Sequence, residues 1–241
     1  MKAILTGHTR GLGAAIAMEL LARNIPVLGL ARKTNLELGQ RFPGLLLQVE
    51  LDLADSAALA QWIAGAALSE FLDGAEAALL VNNAGVVQPV GPLPVQAQES
   101  IARAVSLNVG APLMLAAALS TCTARDRRIL HISSGAGRNA YPGWSVYCAT
   151  KAALDHHARA TELDSVPGLR ICSLAPGVID TDMQAEIRAT PVEDFPLRER
   201  FEAMKREGDL TSPADCARRL VDYLLDGRFG ETPVADLRDF G

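Results

Sequence analysis

Residues 6–13 read Thr-Gly-His-Thr-Arg-Gly-Leu-Gly and join a short apolar run, residues 3–5, to a segment rich in Ala and Leu, residues 12–23. The apolar run is too short for a buried helix and predicts a strand, whereas the longer segment predicts a helix. Gly7, Gly11 and Gly13 permit a tight turn and let the backbone approach a phosphate. Because the helix begins directly after them, its N-terminal N–H groups are expected to face a pyrophosphate.

The same alternation of short apolar runs and longer helical segments continues along the whole chain. Strands are predicted at residues 3–5, 27–30, 45–49, 77–81, 129–132, 170–174 and 233–237. Helices are predicted at residues 12–23, 57–68, 97–105, 113–120, 149–163 and 214–225. This order predicts an α/β fold of Rossmann type, a doubly wound and mainly parallel seven-stranded sheet with helices on both faces.

One domain covering residues 1–241 accounts for the length of the chain, although the length also permits two. Its least regular part is residues 181–210, where several prolines and many charges interrupt the alternation just before the last helix. Long irregular insertions of this kind are often lids or binding loops. We therefore expect residues 181–210 to cover a substrate.

Composition argues against several classes of partner. The chain carries 23 Lys and Arg against 28 Asp and Glu, a net charge of −5, and its cations form no run, so nucleic acid and anionic membranes are not expected partners. Residues 1–5 lead straight into the glycine turn without the pattern of a secretory signal. No segment is read as apolar over the roughly 18 residues that a membrane span needs. The four cysteines form no CxxC pair, which favours reduced thiols and a cytoplasmic location.

The four histidines do not form a metal-binding pattern. His156 and His157 are neighbours, and adjacent side chains on a helix diverge by about 100°. His8 lies in the glycine turn and His131 in a predicted strand. No HxH, HExxH or Cys/His cluster is present, so no metal is predicted.

The end of the second predicted strand indicates which dinucleotide binds. Units that bind NAD place a carboxylate there for the ribose 2′-hydroxyl, but this chain has Ala31 followed by Arg32 and Lys33. Arg10 in the glycine turn is expected nearby. Cations without a carboxylate suit a 2′-phosphate, which Arg binds in bidentate fashion, so the predicted cofactor is NADPH/NADP+.

Six short motifs occur in a fixed order along the chain. They are Thr6-Gly-x3-Gly11-x-Gly13, Asn82-Asn-Ala-Gly85, Asn108, Ser134, Tyr147-x3-Lys151 and Pro176-Gly177. Together, over essentially the whole chain, they resemble the short-chain dehydrogenase/reductase family. Within that family, residues 143–151 (Gly-Trp-Ser-Val-Tyr-Cys-Ala-Thr-Lys), residues 182–184 and the C-terminal Pro-Val-Ala-Asp-Leu-Arg-Asp of residues 233–239 resemble sepiapterin reductase. Bacterial benzil reductases are similar too.

The resemblance implies a catalytic group made of Asn108, Ser134, Tyr147 and Lys151. Tyr147 would protonate the carbonyl oxygen, and the ammonium of Lys151, one helical turn away, would lower the pKa of the phenol. Ser134 would hydrogen-bond the substrate oxygen, with Ser133 as the alternative. Asn108 would hold a water molecule beside Lys151.

The resemblance and the residue pattern together also give the binding residues. The cofactor set is Gly7, Arg10, Gly11, Leu12, Gly13, Arg32, Asp52, Leu53, Asn83, Ala84, Gly85, Tyr147, Lys151, Pro176, Gly177, Val178, Ile179 and Thr181. The substrate set is Ser134, Trp144, Met183, Gln184 and Asp236. Asp236 matches the carboxylate with which sepiapterin reductase grips its pterin, and Asp239 is the alternative if that alignment slips.

The expected function is NADPH-dependent reduction of a ketone or diketone, of the sepiapterin or benzil kind. A 3-oxoacyl-carrier-protein reductase, or another alcohol dehydrogenase of the family, is the nearest alternative. An NADP(H)-sensing regulator without catalysis is an alternative of another class, but such proteins often lose the tyrosine or the lysine, and both are present here. The resemblance further implies a homodimer or homotetramer with paired helices at its interface.

Overall fold

The computed structural model describes residues 1–240 and contains one sheet of seven strands. In chain order the strands are β1 (Lys2–Thr6), β2 (Val27–Ala31), β3 (Leu46–Glu50), β4 (Ala77–Asn82), β5 (Asp126–Ile132), β6 (Leu169–Ala175) and β7 (Val234–Asp236). All seven predicted strands are thereby confirmed.

Ten helices connect and cover the strands in the described part of the chain. They are α1 (Gly11–Ala22), α2 (Leu36–Arg41), α3 (Ser56–Ala64), α4 (Ala67–Leu72), α5 (Gln98–Val105), α6 (Ala111–Ser120), α7 (Ser145–Leu163), α8 (Asp182–Ala189), α9 (Arg198–Glu207) and α10 (Pro213–Leu225). The sequence did not predict α2, α8 or α9, which are short and carry many polar residues.

The strand order across the sheet is β3-β2-β1-β4-β5-β6-β7, and every neighbouring pair is parallel. The predicted Rossmann-type fold is therefore confirmed. The chain passes from one half of the sheet to the other between β1 and β4. At such a switch point the loops that follow the two strands diverge and leave a crevice at their carboxyl ends, where ligands bind in this architecture.

Side chains of each strand alternate between two hydrophobic cores, one on each face of the sheet. On β1, Ala3 and Leu5 belong to the core beneath α1 and α10, whereas Ile4 belongs to the core beneath α3, α4 and α6. A parallel sheet covered on both faces needs apolar residues at consecutive positions, which explains why its strands read as continuous apolar runs. Complete burial of one such leucine or isoleucine contributes about 1.5–3 kcal/mol.

The helix α7 begins at Ser145 and not at residue 149, and two connections between helices also differ from the sequence prediction. Residues 57–68, predicted as one helix, are divided at Gly65, whose extended backbone ends α3. Conversely, α5 and α6 are joined by a π-helical turn, Ser106–Gly110, into one continuous helix. Glycine accommodates the first break, and a π turn often marks a functional site within a helix.

The joined helix Gln98–Ser120 has 23 residues and an 18-residue window of mean hydropathy 1.5. By length and composition alone it could cross a membrane, so the prediction that no segment meets this test is wrong here. Its position in the fold accounts for its composition, because Leu115, Ala116 and Leu119 pack into the core against the sheet. The core helix of an α/β domain and a membrane span share such apolar runs.

Residues 181–210, expected to form a lid, contain α8 and α9 and lie over the carboxyl end of the sheet. A third apolar cluster joins them to the start of α7: Ile187, Phe195 and Phe201 pack on Trp144 and Tyr147. The rings of Trp144 and Phe195 are stacked, with centroids 4.6 Å apart and planes 15° from parallel. The segment is thus a packed element of the fold and not an extended loop.

Candidate active site

A cavity of about 1040 Å³ opens at the carboxyl ends of the strands. It extends from the glycine turn after β1 to the loop after β6 and the end of β7. Every residue of the predicted cofactor and substrate sets lines it, and of the predicted catalytic group only Asn108 does not. The fold therefore brings together residues that are more than 200 positions apart in the sequence.

The glycine turn is shaped to admit a ligand backbone closely. Gly7 and Gly11 have φ of 70° and 54°, in the left-handed region that favours glycine. A Cβ at Gly13 would lie 2.0 Å from the carbonyl oxygen of Gly7, so only glycine fits there. The backbone N–H groups at the start of α1 have no side-chain cap from Arg10. These features fit a dinucleotide pyrophosphate.

Two side chains brace the glycine turn from behind. The hydroxyl of Thr6 accepts from the backbone N–H groups of Asn83 and Ala84, both at 2.9 Å. In return, the amide of Asn83 donates to the carbonyl oxygens of Thr6 (3.0 Å) and Gly7 (3.3 Å). The turn after β1 is therefore tied to the turn after β4, on the two sides of the switch point. In the structure, Asn83 supports the predicted cofactor turn with its side chain.

A hydrogen-bonded group that the sequence did not predict links the glycine turn to the loop after β2. The ring of His8 is buried and its Nε2 lies 2.8 Å from Oε1 of Gln48. The same oxygen accepts from the backbone N–H of Asn35 at 2.7 Å, and the side chain of Asn35 donates to the carbonyl oxygen of Thr9 at 3.2 Å. Burial lowers the pKa of His8 more than its bond with Gln48 raises it, so a neutral ring is favoured.

The end of β2 presents cations to the cavity. Arg32 and Lys33 are exposed and line it beside Ala31, which is buried. Asp52, across the same cavity wall, lies 3.0 Å from the guanidinium of Arg103. Burial raises the pKa of Asp52, but hydrogen bonds from Ala54 and Arg103 and the charge of Arg32 outweigh it, so the pKa is lower than usual. Asp52 is therefore a charged carboxylate that already has a partner.

Arg10 reaches across the mouth of the cavity. Its guanidinium lies 2.9 Å from the carboxylate of Asp182, the first residue of α8, and both side chains are exposed. Thr181 packs near Gly11, since a Cβ on that glycine would lie 3.5 Å from the Thr181 methyl group. The glycine turn and the start of residues 181–210 are thus in direct contact.

Tyr147 and Lys151 are buried in the first two turns of α7, where they share one face of the helix. Nζ of Lys151 lies 5.6 Å from the centre of the Tyr147 ring and donates to the carbonyl oxygen of Ile132 at 2.7 Å. Burial raises the pKa of Tyr147 to about 12, against a hydrogen bond with Ser134 that lowers it, so the lowered pKa expected from Lys151 is not found. Burial also lowers the pKa of Lys151 to about 8, although the charge of Asp155 opposes this.

Asn108 lies behind the cavity, in the π-helical turn. Its Oδ1 accepts from the backbone N–H of Val86 at 2.9 Å, and its Nδ2 donates to the Val86 carbonyl at 2.8 Å and to Thr150 at 3.2 Å. A Cβ at Gly85 would meet Asn108 at 3.2 Å and Nζ of Lys151 at 3.8 Å. The side chain of Asn108 is thus next to Lys151, but its N–H groups are committed to the protein.

The two serines after β5 have different positions. Both serines line the cavity, but it is the hydroxyl of Ser134 that hydrogen-bonds Tyr147, besides accepting from the backbone N–H of Ala136. Ser133 is buried and donates at 2.6 Å to Asp155 of α7, which also accepts from Ser173 at 2.7 Å. Between the two serines, the position of Ser134 is therefore the one that matches a substrate contact. Ser133 instead anchors the catalytic helix to the sheet.

The far end of the cavity is apolar on one side and polar on the other. Trp144, Met183 and Gln184, predicted as substrate contacts, line it together with residues the sequence did not predict: Tyr141, Ile187, Arg200, Phe201, Met204 and Arg238. Asp236 lies at the end of β7, and Arg238 donates to both of its carboxylate oxygens. A substrate that grips Asp236 would have to displace Arg238. Asp239, the alternative, is not among the lining residues.

Comparison with known proteins gives consistent matches along the chain. The family model described as short chain dehydrogenase matches residues 1–192. A benzil reductase ((S)-benzoin forming) of Bacillus cereus is 35% identical over 240 residues, covering 96% of each chain. A sepiapterin reductase of Meriones unguiculatus is 31% identical over 252 residues, covering 98% of this chain and 95% of its own. The crystal structure of a short-chain dehydrogenase/reductase from Burkholderia vietnamiensis is 50% identical, with a TM-score of 0.73 and coverage of 100% and 98%.

Proposed function

Because the chain belongs to the short-chain dehydrogenase/reductase family, whose members are oxidoreductases that act on CH–OH and C=O groups with a nicotinamide cofactor, we propose that it is an NADPH-dependent carbonyl reductase for ketones or diketones. One observation carries the proposal: Tyr147, Lys151 and Ser134 meet at the wall of a cavity that continues into a dinucleotide-shaped crevice. Relatives described as benzil and sepiapterin reductases support the substrate class.

Tyr147 is the proposed proton donor. With its pKa raised to about 12, the phenol holds its proton at neutral pH, which is the form that reduction needs. Ser134, whose hydroxyl faces the cavity, would hold the carbonyl oxygen of the substrate beside the phenol. The cofactor, when bound, supplies the hydride. The buried surroundings of Tyr147 exclude water, which strengthens its interaction with the oxygen as negative charge develops there.

Lys151 is proposed to restore the proton of Tyr147 and to hold the cofactor ribose. Its bond to the Ile132 carbonyl fixes Nζ near the Tyr147 ring. The positive charge of Lys151 favours the phenolate that remains after proton transfer. Asn108 and Nζ of Lys151 both lie near Gly85, so a water molecule held at the π-helical turn would continue a proton path from Lys151.

NADPH is the proposed cofactor because the phosphate end of the cavity is cationic. Arg32 and Lys33 line it at the end of β2, and the residue at the position of the NAD-specific carboxylate is Ala31. Asp52, the carboxylate that lines this end of the cavity, is paired with Arg103. A 2′-phosphate would therefore meet cations without competing against a free negative charge.

The alkaline side of the pH profile is expected to report Lys151. Because its pKa is lowered to about 8, Lys151 loses its charge as the pH rises through that value, and kcat/KM for carbonyl reduction should then fall about tenfold per pH unit. The charge of Asp155 raises this pKa, so Asp155→Asn should move the alkaline limb to lower pH. Asparagine keeps an oxygen that accepts from Ser133 and Ser173. The measurement is kcat/KM from pH 6 to about 10.

Glu162→Gln serves as the matched control, because it removes an exposed carboxylate from the same helix, far from Lys151. Its alkaline limb should coincide with that of the unmodified protein. An Asp155→Asn limb at an unchanged or higher pH would contradict this account of Lys151.

The substrate class is tested by following NADPH oxidation with benzil, sepiapterin, a simple aliphatic diketone and an acetoacetyl thioester. We expect the diketones to give the highest kcat/KM, because Trp144, Met183 and Phe201 offer an apolar wall to a hydrophobic substrate. A preference for the acetoacetyl thioester would favour a 3-oxoacyl reductase instead. NADPH binding without turnover of any of these compounds would favour the regulator.

Further proposals concern how the protein is used. We propose that residues 181–210 act as the substrate lid, since α8 and α9 supply one wall of the cavity.

We also propose a homodimer or homotetramer, because only 33% of the most apolar window of helix Gln98–Ser120 is buried within one chain. Free thiols at all four cysteines support the proposed cytoplasmic location. We expect neither a nucleic acid nor a membrane to be a partner.

A further inference from the structure

The carboxylate at the end of β7 is occupied by a guanidinium of the same chain. Nε of Arg238 donates to Oδ1 of Asp236 at 2.8 Å, and Nη2 donates to Oδ2 at 2.7 Å. The backbone N–H of Arg238 adds a third bond, to Oδ1, at 3.0 Å. This bidentate fork is the strongest arrangement in which a carboxylate and a guanidinium pair.

The surroundings show that Asp236 is held in place while Arg238 is not. The Asp236 side chain is 10% exposed and that of Arg238 is 71% exposed, although both line the cavity. Behind the carboxylate, Arg138 lies 3.9 Å from Oδ2 and donates to the carbonyl oxygen of Ala235 at 2.6 Å. Arg138 is itself anchored on the buried Asp155. Removal of the Arg238 side chain would therefore leave Asp236 charged, fixed and accessible from the cavity.

We infer that Arg238 is a specificity-determining residue, which fills the guanidine position on Asp236 and so selects carbonyl substrates that lack a paired N–H donor group. The inference rests on the proposed carbonyl reductase function. A pterin offers two adjacent N–H groups that can donate to both oxygens of a carboxylate. In this protein, Nε and Nη2 of Arg238 already donate to both oxygens of Asp236. A hydrophobic diketone has no N–H donor and therefore needs no free carboxylate.

The rest of the cavity agrees with this selection. The same cavity is lined by Trp144 and Phe201, whose ring centroids are 5.5 Å apart, and by Met183. These side chains favour aromatic or aliphatic groups on the substrate. A guanidine-like group on a substrate would lose its hydration in this cavity without gaining a hydrogen bond to Asp236, because Arg238 occupies both carboxylate oxygens. The lost hydrogen bonds weaken binding.

The test compares Arg238→Leu with the double variant Asp236→Asn/Arg238→Leu. Leucine keeps apolar bulk but removes every N–H donor of the side chain. Arg228→Leu is the matched control, because Arg228 also pairs with a carboxylate two residues before it, Asp226, through Nε alone, and does not line the cavity. Two quantities are measured: kcat/KM with NADPH for sepiapterin and for benzil, and Kd of sepiapterin by equilibrium dialysis in the presence of NADP+, where no turnover occurs.

We expect Arg238→Leu to raise kcat/KM for sepiapterin relative to benzil, and to tighten sepiapterin binding, by about tenfold or more, the size of one hydrogen bond to a charged group. The double variant should lose this gain, and Arg228→Leu should resemble the unmodified protein. Equal changes for both substrates, a gain that survives in the double variant, or an unchanged sepiapterin Kd would overturn the inference. Absence of any carbonyl reduction would instead count against the proposed function, and the dialysis would still decide the role of Arg238.

Discussion

Tyr147→Phe is expected to lower kcat for carbonyl reduction by about 10²–10⁴-fold while the affinity for NADPH stays close to its normal value. The variant removes the proposed proton donor but keeps the ring, which packs edge-on against Trp144. General acid groups contribute an effect of that size. Lys151 and Ser134 stay in place in this variant, so the loss of activity reports the Tyr147 hydroxyl alone. The measurement is steady-state kinetics with benzil, combined with titration of NADPH.

Tyr141→Phe is the matched control, because Tyr141 also lines the cavity and also packs on Trp144. The Tyr141→Phe variant should lose much less activity than the Tyr147→Phe variant. Lys151→Ala should lose activity and also bind NADPH more weakly, because two roles are assigned to Lys151. Near-normal turnover in a folded Tyr147→Phe variant would remove Tyr147 from the mechanism.

Exchange of Ala31 for Asp together with Arg32 for Ser should shift cofactor preference from NADPH towards NADH. The new carboxylate would accept from a ribose 2′-hydroxyl and repel a 2′-phosphate, and the lost guanidinium would no longer bind that phosphate. Each charged hydrogen bond contributes about 1.5–3 kcal/mol, so the ratio of kcat/KM for the two cofactors should change by about 10–150-fold per contact. The measurement is kcat/KM with each cofactor at one saturating carbonyl concentration.

Arg41→Ser is the control for the change of charge, because Arg41 ends α2 and does not line the cavity. It should leave the cofactor ratio unchanged. If the unmodified protein already prefers NADH, the roles assigned to Arg10 and Arg32 are wrong.

The sheet was predictable because each strand of a parallel sheet is apolar on both faces and stands out in the sequence. Features that depend on contacts between residues distant in the sequence could not be predicted. The break at Gly65 is visible only in the backbone conformation. The π-helical turn at Asn108 does have a local signal that the prediction did not use, because Pro112 has no N–H to donate to the Asn108 carbonyl. Helices α8 and α9 are rich in charges, and Phe195 and Phe201 hold them through packing on Trp144, which lies far away in the sequence.

The same distinction applies to the site. The glycine turn and the Tyr147–Lys151 pair are local motifs, and the structure places them at one cavity. The brace of His8 on Gln48 and the anchoring of Asp155 by Ser133 and Ser173 join residues from separate elements, so no spacing in the sequence indicates them. The pairing of Asp236 with Arg238 is local, but a sequence cannot show that both oxygens of the carboxylate are taken.

The cavity begins at Gly7 and ends at Arg238, which has a consequence for how the protein becomes functional during synthesis. Its central strand, β1, needs β4 as a partner, and β4 starts more than 70 residues later. Contacts so distant in sequence form late and make folding slow. The wall that carries Asp236 exists only when β7 has joined β6, from which it is separated by more than 50 residues of chain. A fragment that stops before β7 therefore lacks the wall that carries Asp236.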